Sequence, residues 1–176
     1  MRHMETWWID EPFLLGSRNP SDEDLARLRD QGFSVLVSLL DDSKQPPRYD
    51  VNAAAQAGWS RHVISIEDFH PPSLEQLCDF TALLEAAPLG ARVLVHCEGG
   101  SGRTGTMAAA YWIKKGLTAT DAVARIRKVR PGAVETCEQE RVLYQYAEVL
   151  QSGARNKRAS NPGTQPTRKK TRPADA

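Results

Sequence analysis

Val93-Leu94-Val95-His96-Cys97-Glu98-Gly99-Gly100-Ser101-Gly102-Arg103-Thr104-Gly105-Thr106 is the stretch on which the fold turns. Val93 to His96 is a short apolar run, the pattern of a strand buried on both faces of a parallel sheet. From Thr104 to Lys115 the chain is apolar almost all round and stops at Gly116, which predicts a buried central helix. Between them lies a glycine-rich turn. Such a turn sits at the carboxyl end of its strand, where open α/β sheets bind ligands. Its glycines let successive backbone N–H groups point inward as an anion nest, and the helix N-terminus adds its positive dipole end. Those dipoles favour the thiolate of Cys97. Arg103 offers a planar fork for two phosphate oxygens. One turn thus supplies a nucleophile, an oxyanion cradle made by Glu98, Gly99, Gly100, Ser101 and Gly102, and a bidentate cation. A buried inert cysteine is the plainer reading, but a structural turn has no use for Arg103 beside so many backbone donors. A nucleotide P-loop is excluded, because no lysine follows Gly102.

Outward from this turn the chain alternates strands and helices. Val35 to Leu40 and His62 to Ile66 read as further buried strands, and Phe13 to Gly16 as a weaker one. Ser21-x-x-Asp24 caps a helix carrying Leu25 and Leu28, and Ser73-x-x-Gln76 one carrying Leu74, Leu77, Phe80 and Leu84. Thr118-x-x-Asp121 and Thr136-x-x-Gln139 start two more, the last running to about Leu150. The pattern predicts a single α/β domain with a central, mostly parallel sheet of four or five strands flanked by helices.

The composition, 40% hydrophobic and 26% charged, excludes collagen-like and wholly disordered classes. No run is long enough to span a membrane and no secretory leader is visible, so no membrane association is expected. Three cysteines, Cys78, Cys97 and Cys137, are too few for a disulfide framework or a zinc site. A reducing cytoplasmic compartment, no metal and no cofactor are the expectations. The net charge of +1 hides two unlike parts. Residues 154–176 hold seven basic side chains and one acid, a net of +6; residues 1–153 hold 16 basic and 21 acidic, a net of −5. The sequence therefore divides into a catalytic domain over 1–153 and a basic tail over 154–176, too poor in apolar residues to fold. The tail reads as a solubilising end in preference to a nuclear-targeting signal.

His96-Cys97-Glu98-Gly99-Gly100-Ser101-Gly102-Arg103-Thr104 matches the His-Cys-x5-Arg-Ser/Thr signature, and the chain from Phe13 to Leu150 resembles the cysteine-dependent protein tyrosine phosphatase superfamily, in particular the small atypical dual-specificity (VH1-like) phosphatases. The resemblance implies attack of Cys97 on a phosphomonoester, a phosphocysteine intermediate and its hydrolysis by water. It implies that Arg103 binds phosphate, and that the Thr104 hydroxyl assists the departing sulfur. It implies a general acid on a mobile loop upstream of the cysteine. Asp68, before Phe69-His70-Pro71-Pro72, fits that place; Glu67 is the adjacent alternative, and Asp41 or Asp42 are distant ones. His96 either orients the loop from behind or is a satisfied core histidine. Gln139 either positions the hydrolytic water or closes the helix started by Thr136. Glu135 reads as a surface charge, and Arg125, Arg127, Lys128 and Arg130 as a solvated helix face or as a rim attracting phosphate. Arg18 reads as structural.

The implied partners are phosphorylated proteins, with phosphotyrosine and also phosphoserine or phosphothreonine as substrates, acted on by a monomer. The loop lacks the lysines that bind inositol phosphates and carries Glu98, which disfavours phosphoinositides. A carboxylate beside Cys97 opposes the thiolate, so Glu98 is expected to point away. Two other functions stay open: an RNA 5′-triphosphatase of the same superfamily, helped by the basic tail, and a non-catalytic phosphopeptide-binding module. Nucleic acid is otherwise not an expected partner.

Overall fold

The computed structural model describes residues 4–159, and side chains from 4 to 153. In chain order the elements are β1 (Thr6–Asp10), β2 (Leu14–Ser17), α1 (Asp22–Asp30), β3 (Phe33–Ser38), α2 (Val51–Gln56), β4 (Ser60–Val63), α3 (Leu74–Glu85), β5 (Arg92–His96), α4 (Gly102–Lys114), α5 (Ala119–Val129) and α6 (Cys137–Ala159). The sheet order is β1-β2-β5-β3-β4. β5 lies between β2 and β3, both parallel to it, and β4 extends the parallel set beyond β3. β1 closes the other edge antiparallel to β2. The expected α/β domain with a mostly parallel sheet is what forms. The parallel strands end at one edge, so the segments after β2, β3, β4 and β5 converge there.

Local chemistry accounts for most element ends. The Ser21–Asp24 and Ser73–Gln76 capping boxes both close, and Asp50 accepts from the Asn52 and Ala53 N–H groups at the start of α2. The first turn of α4 differs: Ser101 makes no side-chain cap, so its leading N–H groups stay available to the turn before it. α4 runs through the interior against α3, α5 and α6, with Met107, Ala108, Ala109 and Ala110 fully buried. The alanines let neighbouring helices approach closely. Phe80, Leu77, Leu143 and Tyr146 fill that side, while α1 and α2 cover the other with Leu25, Leu28, Phe33, Leu36, Tyr49 and Trp59. Each such large side chain contributes roughly 1.5–3 kcal/mol on burial.

Several boundaries differ from expectation. β1 was not read from the sequence; its Trp7 and Ile9 face inward and its Thr6 outward, a pattern too short to stand out. α2 follows a proline pair and carries three alanines, with too little apolar periodicity to signal a helix. The third parallel strand is Ser60–Val63, earlier than His62 to Ile66, because Ile64 and Ile66 only donate single hydrogen bonds to the Ser38 and Leu39 carbonyls as the chain leaves the sheet. α6 continues past Leu150 to Ala159, entering the segment read as tail. The remainder of that tail, 160–176, lies outside the described residues. No helix among the described residues is long and apolar enough to cross a membrane.

Candidate active site

The turn from Cys97 to Gly102 hangs from the end of β5, at the centre of the sheet edge. Cys97 is 2% exposed, and the Gly100 N–H donates to its Sγ at 3.2 Å. Gly100 has φ +74, and a Cβ there would meet the Arg18 backbone nitrogen at 2.6 Å. Both observations require glycine at this position: the backbone turns left-handed and lies directly on the end of β2. Gly99 has open space around it.

Arg103, on the first turn of α4, is 2% exposed and fully engaged. Its Nη2 meets Asp68 Oδ1 at 2.8 Å, while Nη1 donates to Gln45 Oε1 at 2.8 Å and to the Ile66 carbonyl at 3.0 Å. Gln45 Nε2 in turn donates to Asp68 Oδ2 at 3.1 Å. The segments after β3 and β4 are thereby tied to the arginine of the turn. The competing acids lie elsewhere. Glu67 pairs with Lys44 at 3.8 Å, Asp41 caps its own turn through Ser43, and Asp42 accepts twice from Arg61. Of the four, Asp68 is the one that meets Arg103. Phe69, next to it, is 65% exposed with φ +60, a strained conformation for an aromatic residue.

Glu98 points away from the turn. Its carboxylate accepts from Asn19 Nδ2 at 2.8 Å and pairs with Arg48. Its charge therefore does not line the site, and it gives no ground for excluding phosphoinositides. His96 is fully buried, with Nε2 3.3 Å from the Tyr49 hydroxyl. Burial drives its pKa from the usual 6.5 down to about 3, and nearby Arg61 and Arg103 push the same way, so the ring is neutral. The Thr104 hydroxyl is buried and has no hydrogen-bond partner among the described residues, Cys97 included. Gln139 does not close a capping box. Its own N–H is held by Thr136 Oγ1 at 3.1 Å, but its side chain accepts from the Glu135 N–H at 2.9 Å and donates to the His70 carbonyl at 3.3 Å. It joins the start of α6 to the Asp68 segment. Glu135 is exposed, as a surface charge would be, and its carboxylate lies over Gly102, where an added Cβ would overlap it and lie 3.1 Å from Gln139 Nε2.

The turn has two further supports, Trp7, which the sequence reading missed, and Arg130, which it named only as part of a solvated helix face or a rim attracting phosphate. The Trp7 indole, on β1, donates to the Gly100 carbonyl at 3.1 Å. Arg130, at the end of α5, donates to Ser101 Oγ at 3.0 Å and to the Gly99 carbonyl at 3.2 Å, and pairs with Glu5. Arg127 holds the Ala133 and Val134 carbonyls and Glu140, and Arg125 stacks on Trp112 at 3.8 Å. Arg125, Arg127 and Lys128 are exposed, as a solvated face would be, although Arg125 and Arg127 are also tied to neighbours, while Arg130 is partly buried against the turn. Among the described residues the buried Nε of Arg18 has no hydrogen-bond partner. Among the described residues no group of three or more His, Cys, Asp or Glu could hold a metal ion. A cavity of about 450 Å³ between Phe13, Leu84 and Tyr111 opens at the far end of α4 and takes no part in this site.

The arrangement combines a buried sulfur that accepts from the Gly100 N–H, a doubly hydrogen-bonding cation and one carboxylate facing it. That set can bind a tetrahedral oxyanion, attack it and protonate a leaving oxygen.

The family profile described as "Polymorphic toxin system, DSP-PTPase phosphatase" matches residues 14–117. The Caenorhabditis elegans tyrosine-protein phosphatase cdc-14 is 36% identical over 107 residues, 60% of this chain and 14% of that protein. The Arabidopsis thaliana phosphatidylglycerophosphate phosphatase PTPMT1 is 27% identical over 150 residues, 81% of this chain and 43% of that protein. The chain thus spans less than half the length of either relative. The crystal structure of Tk-PTP in its active form superimposes with a TM-score of 0.74 at 34% identity, covering 81% of this chain and 96% of that one.

Proposed function

We propose, from the premise that this chain belongs to the DSP-PTPase phosphatase family of polymorphic toxin systems, that it hydrolyses phosphomonoesters through a phosphocysteine on Cys97. The observation that carries this reading is the convergence of Cys97, Arg103 and Asp68 at one edge of the sheet, with Gln45 bridging the last two. The substrate phosphate takes the Arg103 fork and the N–H groups of the turn, displacing the Asp68 carboxylate. The Cys97 sulfur attacks phosphorus, the bond to the leaving oxygen breaks, and Asp68 gives that oxygen its proton. Water then attacks the phosphocysteine and loses a proton to Asp68. The S–P bond breaks and the thiolate returns. Thr104, whose hydroxyl is otherwise unengaged, is suited to hydrogen-bond the departing sulfur. Gln139 is placed to orient the water. Catalysis here is positioning plus electrostatic stabilisation of the transferring group.

A phosphoprotein substrate, phosphotyrosine first and phosphoserine or phosphothreonine second, is the reading the sequence supports. A lipid phosphomonoester is the second reading: the PTPMT1 relative is named for one, and Glu98 does not oppose it. The need to keep Cys97 reduced favours a cytoplasmic site of action. Metal-free hydrolysis of para-nitrophenyl phosphate, lost in Cys97→Ser, tests the reaction and separates it from phosphopeptide binding alone. Phosphopeptides, phosphatidylglycerophosphate and 5′-triphosphorylated RNA, compared by kcat/KM, then separate the substrate classes. Turnover that survives Cys97→Ser would remove the reading.

A further inference from the structure

We propose that the cavity at the far end of α4 is a binding site for a monocarboxylate with a hydrocarbon body, a medium-chain fatty acid in type, whose head meets Lys115. The inference does not rest on the proposed reaction, because the cavity shares no residue with the turn from Cys97 to Arg103.

The cavity encloses about 450 Å³, inside the range of roughly 300–1,000 Å³ that small-molecule sites occupy. It lies between the end of β1, the residue before β2, the second half of α3 and the last turn of α4. The 13 residues of α4 set it about 20 Å from the catalytic turn. Thr81, Leu84 and Tyr111 form its buried wall, with half-buried Phe13 beside them. The Phe13 and Tyr111 rings stand 6.3 Å apart, tilted by 38°.

The polar groups around this wall are matched with one exception. Thr81 Oγ1 donates to the Leu77 carbonyl at 3.0 Å and lies 2.9 Å from the Tyr146 hydroxyl. The Tyr111 hydroxyl donates to the Asp10 carboxylate. Lys114 pairs with Glu85 at 3.5 Å. Lys115 is the exception: its ammonium stands over the Tyr111 ring, 5.5 Å from the centroid, and meets no carboxylate among the described residues. An ammonium has three donors, and one ring face does not use them. The wall therefore asks for hydrocarbon and the rim for one anionic head. A second negative charge on that head would face Asp10 and Glu85, which selects a carboxylate over a phosphate dianion. The chain's own basic segment, 160–176, is the wrong occupant. It has no apolar side chain larger than proline, and its cations would meet Lys115.

The test titrates the full chain at pH 7 and follows aromatic and leucine methyl signals by proton–carbon NMR. Octanoate is expected to bind saturably, in the high-micromolar to millimolar range, and to shift Phe13, Leu84 and Tyr111. Octylammonium has the same body and the opposite head, and is expected to bind roughly threefold to tenfold more weakly. Lys115→Glu, a change at an exposed position, should invert that order. Absence of saturable binding overturns the proposal, as do shifts confined to the catalytic turn. Equal binding of the two heads, or a Lys115→Glu variant that still prefers octanoate, does the same. If Lys115→Glu fails to fold, the comparison of heads in the parent decides. No readout uses phosphate turnover, so a chain that binds octanoate here and hydrolyses no phosphomonoester would sink the proposed function and leave this site standing.

Discussion

At the scale of single residues, the site divides by what each side chain can be replaced with. Asp68→Asn keeps shape and loses the proton; turnover of a poor leaving group is expected to fall about 10²–10⁴-fold, while affinity for vanadate is retained. Unchanged turnover would return the acid's role to another group. Gln45→Ala removes the amide between Arg103 and Asp68 and is expected to lower kcat/KM several-fold without a large change in Tm, because Gln45 lies in a surface loop. A variant as active as the parent would show that the bridge does not position the pair. Cys97, Arg103 and the glycines were legible because their spacing is local and the turn's chemistry forces it. Asp68 was singled out through the family resemblance, on the loop before Pro71 and Pro72, and the structure brings its carboxylate to Arg103. Gln45 was not, because its partner lies 58 positions away and nothing nearby in sequence records the contact. The same is true of Trp7, 93 positions from Gly100.

At the scale of elements, the edge strand β1 has a task beyond closing the sheet. Trp7 packs over Gly16 of β2 so closely that a Cβ there would lie 2.7 Å from the indole, and the same indole holds the Gly100 carbonyl. Gly16→Ala is expected to cost about 1–3 kcal/mol by displacing Trp7. Phosphate affinity should fall with it. A thermal melt and a vanadate titration check both, and a destabilised variant with parental vanadate affinity would uncouple β1 from the turn. Arg130→Ala tests the other support. It should leave the melt within a few degrees and raise KM. Capped helices were readable from their first four residues, whereas β1 and α2 were not, since each gains its stability from what it packs on and not from its own periodicity.

At the scale of the whole molecule, the buried neutral His96 makes stability depend on pH. Its folded pKa of about 3 lies below the unfolded value near 6.5, so between these the unfolded chain binds the extra proton. That contribution is complete above pH 6.5 and is lost as pH falls toward 3. By pH 5 about 2 kcal/mol of it is lost, some 4–8 °C of Tm. His96→Asn should flatten this part of the curve of Tm against pH; an equal slope in both proteins would refute it. The net charge of +1 describes neither the −5 of residues 1–153 nor the +6 of residues 154–176. The proposed function has phosphate recognised locally, by the backbone of one turn and Arg103, and not by the overall field. The central claim is that Cys97 carries the phosphoryl group, and acid quenching during turnover tests it most directly. Peptide mass spectrometry of the quenched protein should find one phosphoryl group on Cys97 and none in Cys97→Ser, which should also be inactive. Turnover with the phosphoryl group on another residue, or with no labelled protein and an active Cys97→Ser, would contradict the account.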